Sequence, residues 1–240
     1  LGMRLTEIKQ QAKNFRLSFA NQTNVEADLV IIAIPFPVLS GIKINAPLPQ
    51  LLGRFIAEAE LGSNEKLLVR FSKRFWRQRN GFTNAAWSDM GFSEVWDATS
   101  RQLTRNDGAL NFFLGGDKAR QLKDIKDTSK LTKQFVSKLS QFISGASEAI
   151  SGQFLVSGWT KNNLTTGGYA NYKPGELTRF GSLFWVESDI PEERQQVNAG
   201  NLIFSGEHLS DAYYGFMNGG AQTGRLAAQL VSEKIATAKG

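Results

Sequence analysis

The sequence predicts a mixed α/β protein, and three observations carry that prediction. Residues 27–35, Ala-Asp-Leu-Val-Ile-Ile-Ala-Ile-Pro, form a continuous run rich in β-branched residues. That pattern suits a parallel strand covered by helices on both faces. Residues 65–71 alternate instead, with Leu67, Val69 and Phe71 on one face and Lys66, Leu68 and Arg70 on the other, the period-two signature of a strand with one buried side. Near the C-terminus, an apolar stretch at 201–204 runs into Ser205-Gly206-Glu207, and a glycine-rich segment at 215–224 then leads into a long helix. A strand, glycine and helix in that order aim free backbone N–H groups, with the positive end of a helix dipole, at a bound ligand.

The elements follow in order. Residues 5–8 and 15–19 read as short strands, with a polar turn at 21–24. The long apolar run of 27–35 ends at Pro35 and Pro37. Residues 51–60 look helical, 65–71 form the alternating strand, and the aromatic-rich stretch from Phe82 to Leu114 fits further strands. Asp127 to Ser129 can cap a helix whose apolar positions Leu131, Phe135, Val136, Leu139, Phe142 and Ile143 keep helical spacing, with Gly145 to close it. The lysines at 130, 133 and 138 lie off that stripe and read as a solvated face. Residues 152–159 form another predicted strand, a loop rich in glycine and asparagine runs through Gly175, and the last helix covers about 216–236.

Composition narrows the chemistry. With 240 residues, 41% apolar content, 17 Phe and five Trp, the chain supplies a sizeable core. No apolar run approaches the roughly 18–20 residues of a membrane span. The absence of cysteine excludes disulfides and thiolate chemistry, and a single histidine, His208, excludes multi-histidine metal sites; no metal is expected. The net charge of +6 is spread among acidic residues, so a generally basic surface is the reading taken and no nucleic-acid partner is expected. The compartment is left open, with the cytoplasm favoured.

Four blocks, in order, resemble the flavin-containing amine oxidase family. They are residues 27–35 with Pro47-Leu48-Pro49; Leu61-Gly62-Ser63 through Lys66 to Phe75-Trp76; Gly158-Trp159 with Gly167-Gly168-Tyr169 and Pro174-Gly175; and Gly206-Glu207-His208 with the helix after it. The resemblance implies the C-terminal part of an FAD-binding, Rossmann-like flavin domain, built from 1–55 and 162–240, plus part of a sheet-and-helix substrate domain at 56–161. The Gly-x-Gly-x-x-Gly fingerprint of the family's first βαβ unit is missing from the 240 residues.

By position, Lys66 matches the lysine that holds a water against flavin N5. Tyr169 and Phe216 match the aromatic pair that flanks the substrate amine. Trp159 matches a tryptophan near the flavin ring. Gly206 and Glu207 match the motif near the ribityl and pyrophosphate groups, and Phe216, Met217 and Asn218 open the helix that faces the pyrimidine oxygen. Read without the family, Lys66 also fits a solvated strand face, and Tyr169, Phe216 and Trp159 also fit core packing. His208 reads as a structural loop residue. Gly168 stands where covalent relatives place a cysteine, so non-covalent FAD is expected.

The implied function is oxidation of a small-molecule amine or amino acid by hydride transfer to FAD, with O2 as acceptor and H2O2 as product. The chain alone is expected to be inactive as a C-terminal fragment, with a separate N-terminal chain as a candidate partner. The alternatives are a flavin desaturase or protoporphyrinogen-oxidase-like enzyme, or a non-catalytic subunit that does not bind FAD by itself. For substrate carboxylates, Arg74, Arg77 and Arg79 are available, though their density around Trp76 suggests a surface; for polyamines, Asp89, Glu94 and Asp97 are.

Overall fold

The computed structural model describes residues 1–78, 85–122, 125 and 127–239; Arg79 and Phe82 lie outside them. In chain order, β1 (Leu5–Gln10), β2 (Phe15–Phe19), β3 (Asn24–Ala27), β4 (Val30–Ile32), α1 (Phe36–Leu39), β5 (Lys43–Asn45) and α2 (Gln50–Glu58) come first. Next are β6 (Asn64–Phe71), β7 (Ala85–Trp87), β8 (Glu94–Asp97), β9 (Gly108–Gly115), α3 (Gly116–Gln121), α4 (Thr128–Leu139), α5 (Ala146–Ala149) and β10 (Ile150–Val156). Finally come α6 (Glu176–Phe180), β11 (Asn198–Ala199), β12 (Leu202–Phe204) and α7 (Met217–Lys239). This is the mixed α/β class that the sequence predicts. The chain divides into two compact units, one built from Leu1–Leu61 and Tyr169–Gly240, the other from the inserted Gly62–Gly168.

The two-segment unit holds a sheet of order β3-β2-β1-β5 and a smaller one of order β11-β12-β4. In the smaller sheet, β12 runs parallel to β4, with Leu202, Ile203 and Phe204 opposite Val30, Ile31 and Ile32. Phe36, Phe55, Phe180, Trp185 and Phe204 are buried in its core. Phe55 stacks on Phe180 with centroids 4.5 Å apart, and Trp185 Nε1 donates to the Phe204 carbonyl at 2.8 Å.

The continuous strand expected over 27–35 is instead split. Ala27 ends β3, residues 28 and 29 bend, and β4 keeps three residues. Asn201 causes the break: its Nδ2 donates to the Asp28 carbonyl at 3.0 Å, and its own carbonyl accepts the Val30 N–H at 3.0 Å. The run changes sheets there. Among the described residues β4 is an edge strand, and Ile31 is 45% exposed rather than buried on both faces.

The inserted unit holds an antiparallel sheet of order β10-β6-β9-β8-β7. Leu67, Val69, Phe71, Val95, Leu110, Phe112 and Leu114 point inward and share a core with Phe135, Val136 and Leu139 of α4. The Asp127 cap is present, its carboxylate accepting the N–H groups of Ser129 and Lys130 at 3.0 and 3.2 Å. However, α4 stops at Leu139 rather than at Gly145. Beyond it the backbone tightens to three-residue turns, with the Gln141 N–H donating to the Lys138 carbonyl at 3.1 Å and the Phe142 N–H to the Leu139 carbonyl at 3.0 Å, and Phe142 is left 63% exposed. The strand expected at 152–159 ends at Val156, and Trp159 opens a single 3-10 turn, Trp159–Lys161.

Candidate functional site

The glycine motif after β12 is tied to the last helix. Gly206 adopts φ +148°, and a Cβ there would fall 2.5 Å from His208 Cε1, so only glycine fits. Its N–H donates to Thr223 Oγ1 at 2.9 Å, and that hydroxyl lies 3.1 Å from the Gly206 carbonyl and 3.3 Å from that of Gly220. The strand end and α7 are thereby bolted together. At Gly219 a Cβ would meet the Tyr213 carbonyl oxygen at 2.4 Å, so the helix start presses against the preceding loop.

Glu207 organises that loop. Its Oε1 accepts the Ala170 N–H at 2.7 Å and its Oε2 accepts the Gly215 N–H at 2.6 Å. Each donor sits next to one of the aromatic positions, Tyr169 and Phe216. The Tyr169 ring lies against Gly215, where a Cβ would be 3.7 Å from Cδ2. Tyr169 is 42% and Phe216 67% exposed, and Met217 is exposed beside them. Core packing therefore describes neither ring. In the first turn of α7, at Met217 and Asn218, the helix has no carbonyls of its own to accept the N–H groups. A helix start framed by exposed rings suits a planar aromatic group that gathers negative charge, and in that respect these residues fit a flavin.

His208 sits beneath the site. It is buried, its ring 4.5 Å from that of Phe36, and its Nε2 has no hydrogen-bond partner among the described residues. Burial pushes its pKa down to about 4, so the ring stays neutral. Tyr172 donates its hydroxyl to the His208 carbonyl; burial first, then the Glu207 charge, push that phenol above its ordinary range.

Lys66 and Trp159 belong to the inserted unit. Lys66 projects from the outer face of β6, opposite Phe113, with Nζ 6.0 Å from the Trp96 ring centroid, at the edge of cation–π range. Among the described residues no carboxylate pairs with it. Trp159 is 43% exposed. Behind both lies a residue that the sequence reading passed over. Glu65 is buried on the inner face of β6, and its carboxylate accepts five hydrogen bonds: from the Ser157 hydroxyl at 2.5 Å, the Gly158, Trp159 and Thr160 amides at 2.7, 3.2 and 2.8 Å, and the Thr160 hydroxyl at 2.7 Å. Burial alone would raise its pKa. The hydrogen bonds outweigh that, the Ser157 hydroxyl foremost, and hold it below the usual carboxylate range. A charged residue at an inward strand position was the signal that could have found it.

The groups considered for substrate charge are mostly committed elsewhere. Arg74 is buried rather than on a surface, its Nε and Nη2 donating to the Asp107 and Gln102 carbonyls at 2.9 and 2.6 Å. Arg77 pairs with Asp97 at 3.0 Å, and buried Asp97 also accepts Trp76 Nε1 at 3.0 Å. Glu94 stands on the Lys66 face, on the other side of Phe113.

The chain belongs to the flavin containing amine oxidoreductase family, whose sequence profile matches residues 1–232. It is 26% identical over 237 residues to polyamine oxidase 3 of Oryza sativa subsp. japonica, covering 95% of this chain and 44% of that protein. It is 24% identical over 234 residues to a flavin-containing amine oxidase of Danio rerio, covering 96% and 42%. The chain thus spans less than half the length of these relatives. Its fold superposes on cyclohexylamine oxidase from Brevibacterium oxydans IH-35A with a TM-score of 0.82 at 21% identity, over 98% of this chain and 49% of that structure. The family implies a flavin cofactor. No helix among the described residues is long and apolar enough to cross a membrane.

Proposed function

We propose that this chain carries part of an FAD-dependent oxidase of amines or amino acids. The observation that supports this most directly is the Glu207 bracket, which brings the exposed Tyr169 and Phe216 rings to the start of α7. A bound FAD would supply the hydride acceptor for the carbon bearing the amine, with O2 as the final acceptor giving H2O2 and the imine left to hydrolyse in water. In this reading the two rings flank the amine and hold its neutral form in an apolar slot. The N–H groups of Met217 and Asn218 face the flavin's pyrimidine oxygen. By resemblance, Trp159 would pack near the ring, and Gly206 and Glu207 would hold the ribityl and pyrophosphate groups. Lys66 orders a water at the reacting edge.

The two-segment unit serves as the FAD domain and the inserted unit as the substrate domain. Gly168 and the lack of cysteine support a non-covalent cofactor. Since the relatives are more than twice as long as the matched segment, the ADP half of FAD falls to sequence outside this chain, on the same polypeptide or a separate one.

A visible spectrum taken after adding FAD and removing the excess reports whether the chain holds the group by itself. In flavin-loaded protein, an amine or amino acid added without air is expected to bleach the bound band, and readmitted air to yield peroxide. A bound flavin that no amine or amino acid reduces overturns the proposal.

A further inference from the structure

We infer that Glu65 is a positioning residue, whose buried carboxylate holds Lys66 and Trp159 in one fixed geometry. The inference rests on the role proposed above for Lys66. Three observations carry it. The carboxylate accepts the Gly158, Trp159 and Thr160 amides and two hydroxyls, so that the whole 157–160 turn closes on a single side chain. Ser157 passes this order to the neighbouring strand: its hydroxyl donates to Glu65 and accepts the Lys66 N–H at 2.9 Å, while its own N–H donates to the Lys66 carbonyl at 3.0 Å. The Lys66 backbone and the Trp159 backbone are thus both one bond from this cluster.

The third observation is the choice of group. A buried carboxylate is a poor way to gain stability, because its desolvation offsets most of its hydrogen bonding. It is an effective way to select one conformation, because both of its oxygens call for donors in fixed directions. A four-residue turn on a surface sheet needs no such group merely to close. Here it sits next to Lys66 in sequence and under Trp159 in space.

The test compares Glu65→Gln, Ser157→Ala and Lys66→Met in the flavin-loaded complete enzyme, of which this chain is part. The amide group of Glu65→Gln points a donor at the turn's own donors. Exchange of the 158–160 amides is expected to rise about tenfold or more, Trp159 emission to shift, and kcat to fall about tenfold with KM little changed. Ser157→Ala, which removes only the link to Lys66, is expected to move kcat in the same direction with the fold intact, and it carries the test if Glu65→Gln does not fold. Faster exchange with wild-type kcat in the Glu65 and Ser157 variants, while Lys66→Met is slow, overturns the positioning role alone. Wild-type kcat in Lys66→Met overturns the Lys66 reading, and the inference falls with it.

Discussion

Glu207 Oε2 accepts the backbone N–H of Gly215 at 2.6 Å, and this bond fixes where α7 begins. The other carboxylate oxygen holds Ala170, so one side chain sets the spacing of two loops. Replacing Glu207 with Gln turns one of these acceptors into a donor facing an N–H. Partly buried donors left unpaired cost about 1–3 kcal/mol. Urea unfolding should show a loss in that range, and flavin retention should fall. Unchanged values in both would remove Glu207 as the organiser.

In the complete enzyme, Lys66→Met should keep FAD bound and slow flavin reduction or reoxidation by about tenfold or more. Stopped-flow traces with and without O2 separate the two half-reactions. The variant should be no less stable than the parent, because Lys66 is exposed and has no carboxylate partner among the described residues.

Tyr169→Ala should raise KM for amines several-fold, through loss of a ring wall worth about 0.5–1.5 kcal/mol. The exposure of the ring predicts little change in unfolding midpoint, so steady-state kinetics and a melt together distinguish a binding role from a packing one.

His208 gives the fold a pH dependence whose sign is fixed. Its folded pKa of about 4 lies below the ordinary 6.5. Between those values the unfolded chain binds a proton that the folded chain refuses, so stability is full above 6.5 and falls as the pH drops towards 4. The total loss is about 3 kcal/mol. His208 is the only histidine, and no other side chain ordinarily titrates near pH 6. Urea midpoints between pH 7 and 5 should therefore slope in the parent and lie flatter in His208→Gln.

Two glycines within helices should respond oppositely to alanine. Nothing lies within 4 Å of a Cβ at Gly53 in α2, so Gly53→Ala should stabilise by about 0.5–1 kcal/mol. At Gly219 the Tyr213 carbonyl lies 2.4 Å from the new carbon, and the forced backbone shift should cost about 1–3 kcal/mol. Thermal melts of the pair read both.

Where periodicity was local, the sequence read true. The alternation of β6, the helix expected at 51–60 and the Asp127 cap all appear, since each depends on neighbours a few residues apart. Residues 27–35 failed because their β-branched character permits a strand anywhere; the break comes from Asn201, far along the chain. The α4 terminus failed because the chain beyond Leu139 tightens to three-residue turns at Gln141 and Phe142, which spacing of apolar residues does not reveal. In the site, the glycine motif was legible, whereas the work of Glu207 was not. Its partners are backbone amides 37 and 8 residues away, and a main-chain donor leaves no mark in the residue alphabet. Glu65 did leave one, as a charge where the alternation calls for an apolar side chain.

The bond between Asn201 and Asp28 joins positions 173 residues apart, and it sets an order of events at the ribosome. β4 emerges early, but its parallel partner β12 follows only after the entire inserted unit has been made. At about 5–20 residues per second, that interval is roughly 10–35 s. The inserted unit, whose strands pair among themselves, can close within the interval; the surrounding unit cannot. The nascent chain therefore matures from the inside outwards, and for that time Val30, Ile31 and Ile32 wait without their parallel partner.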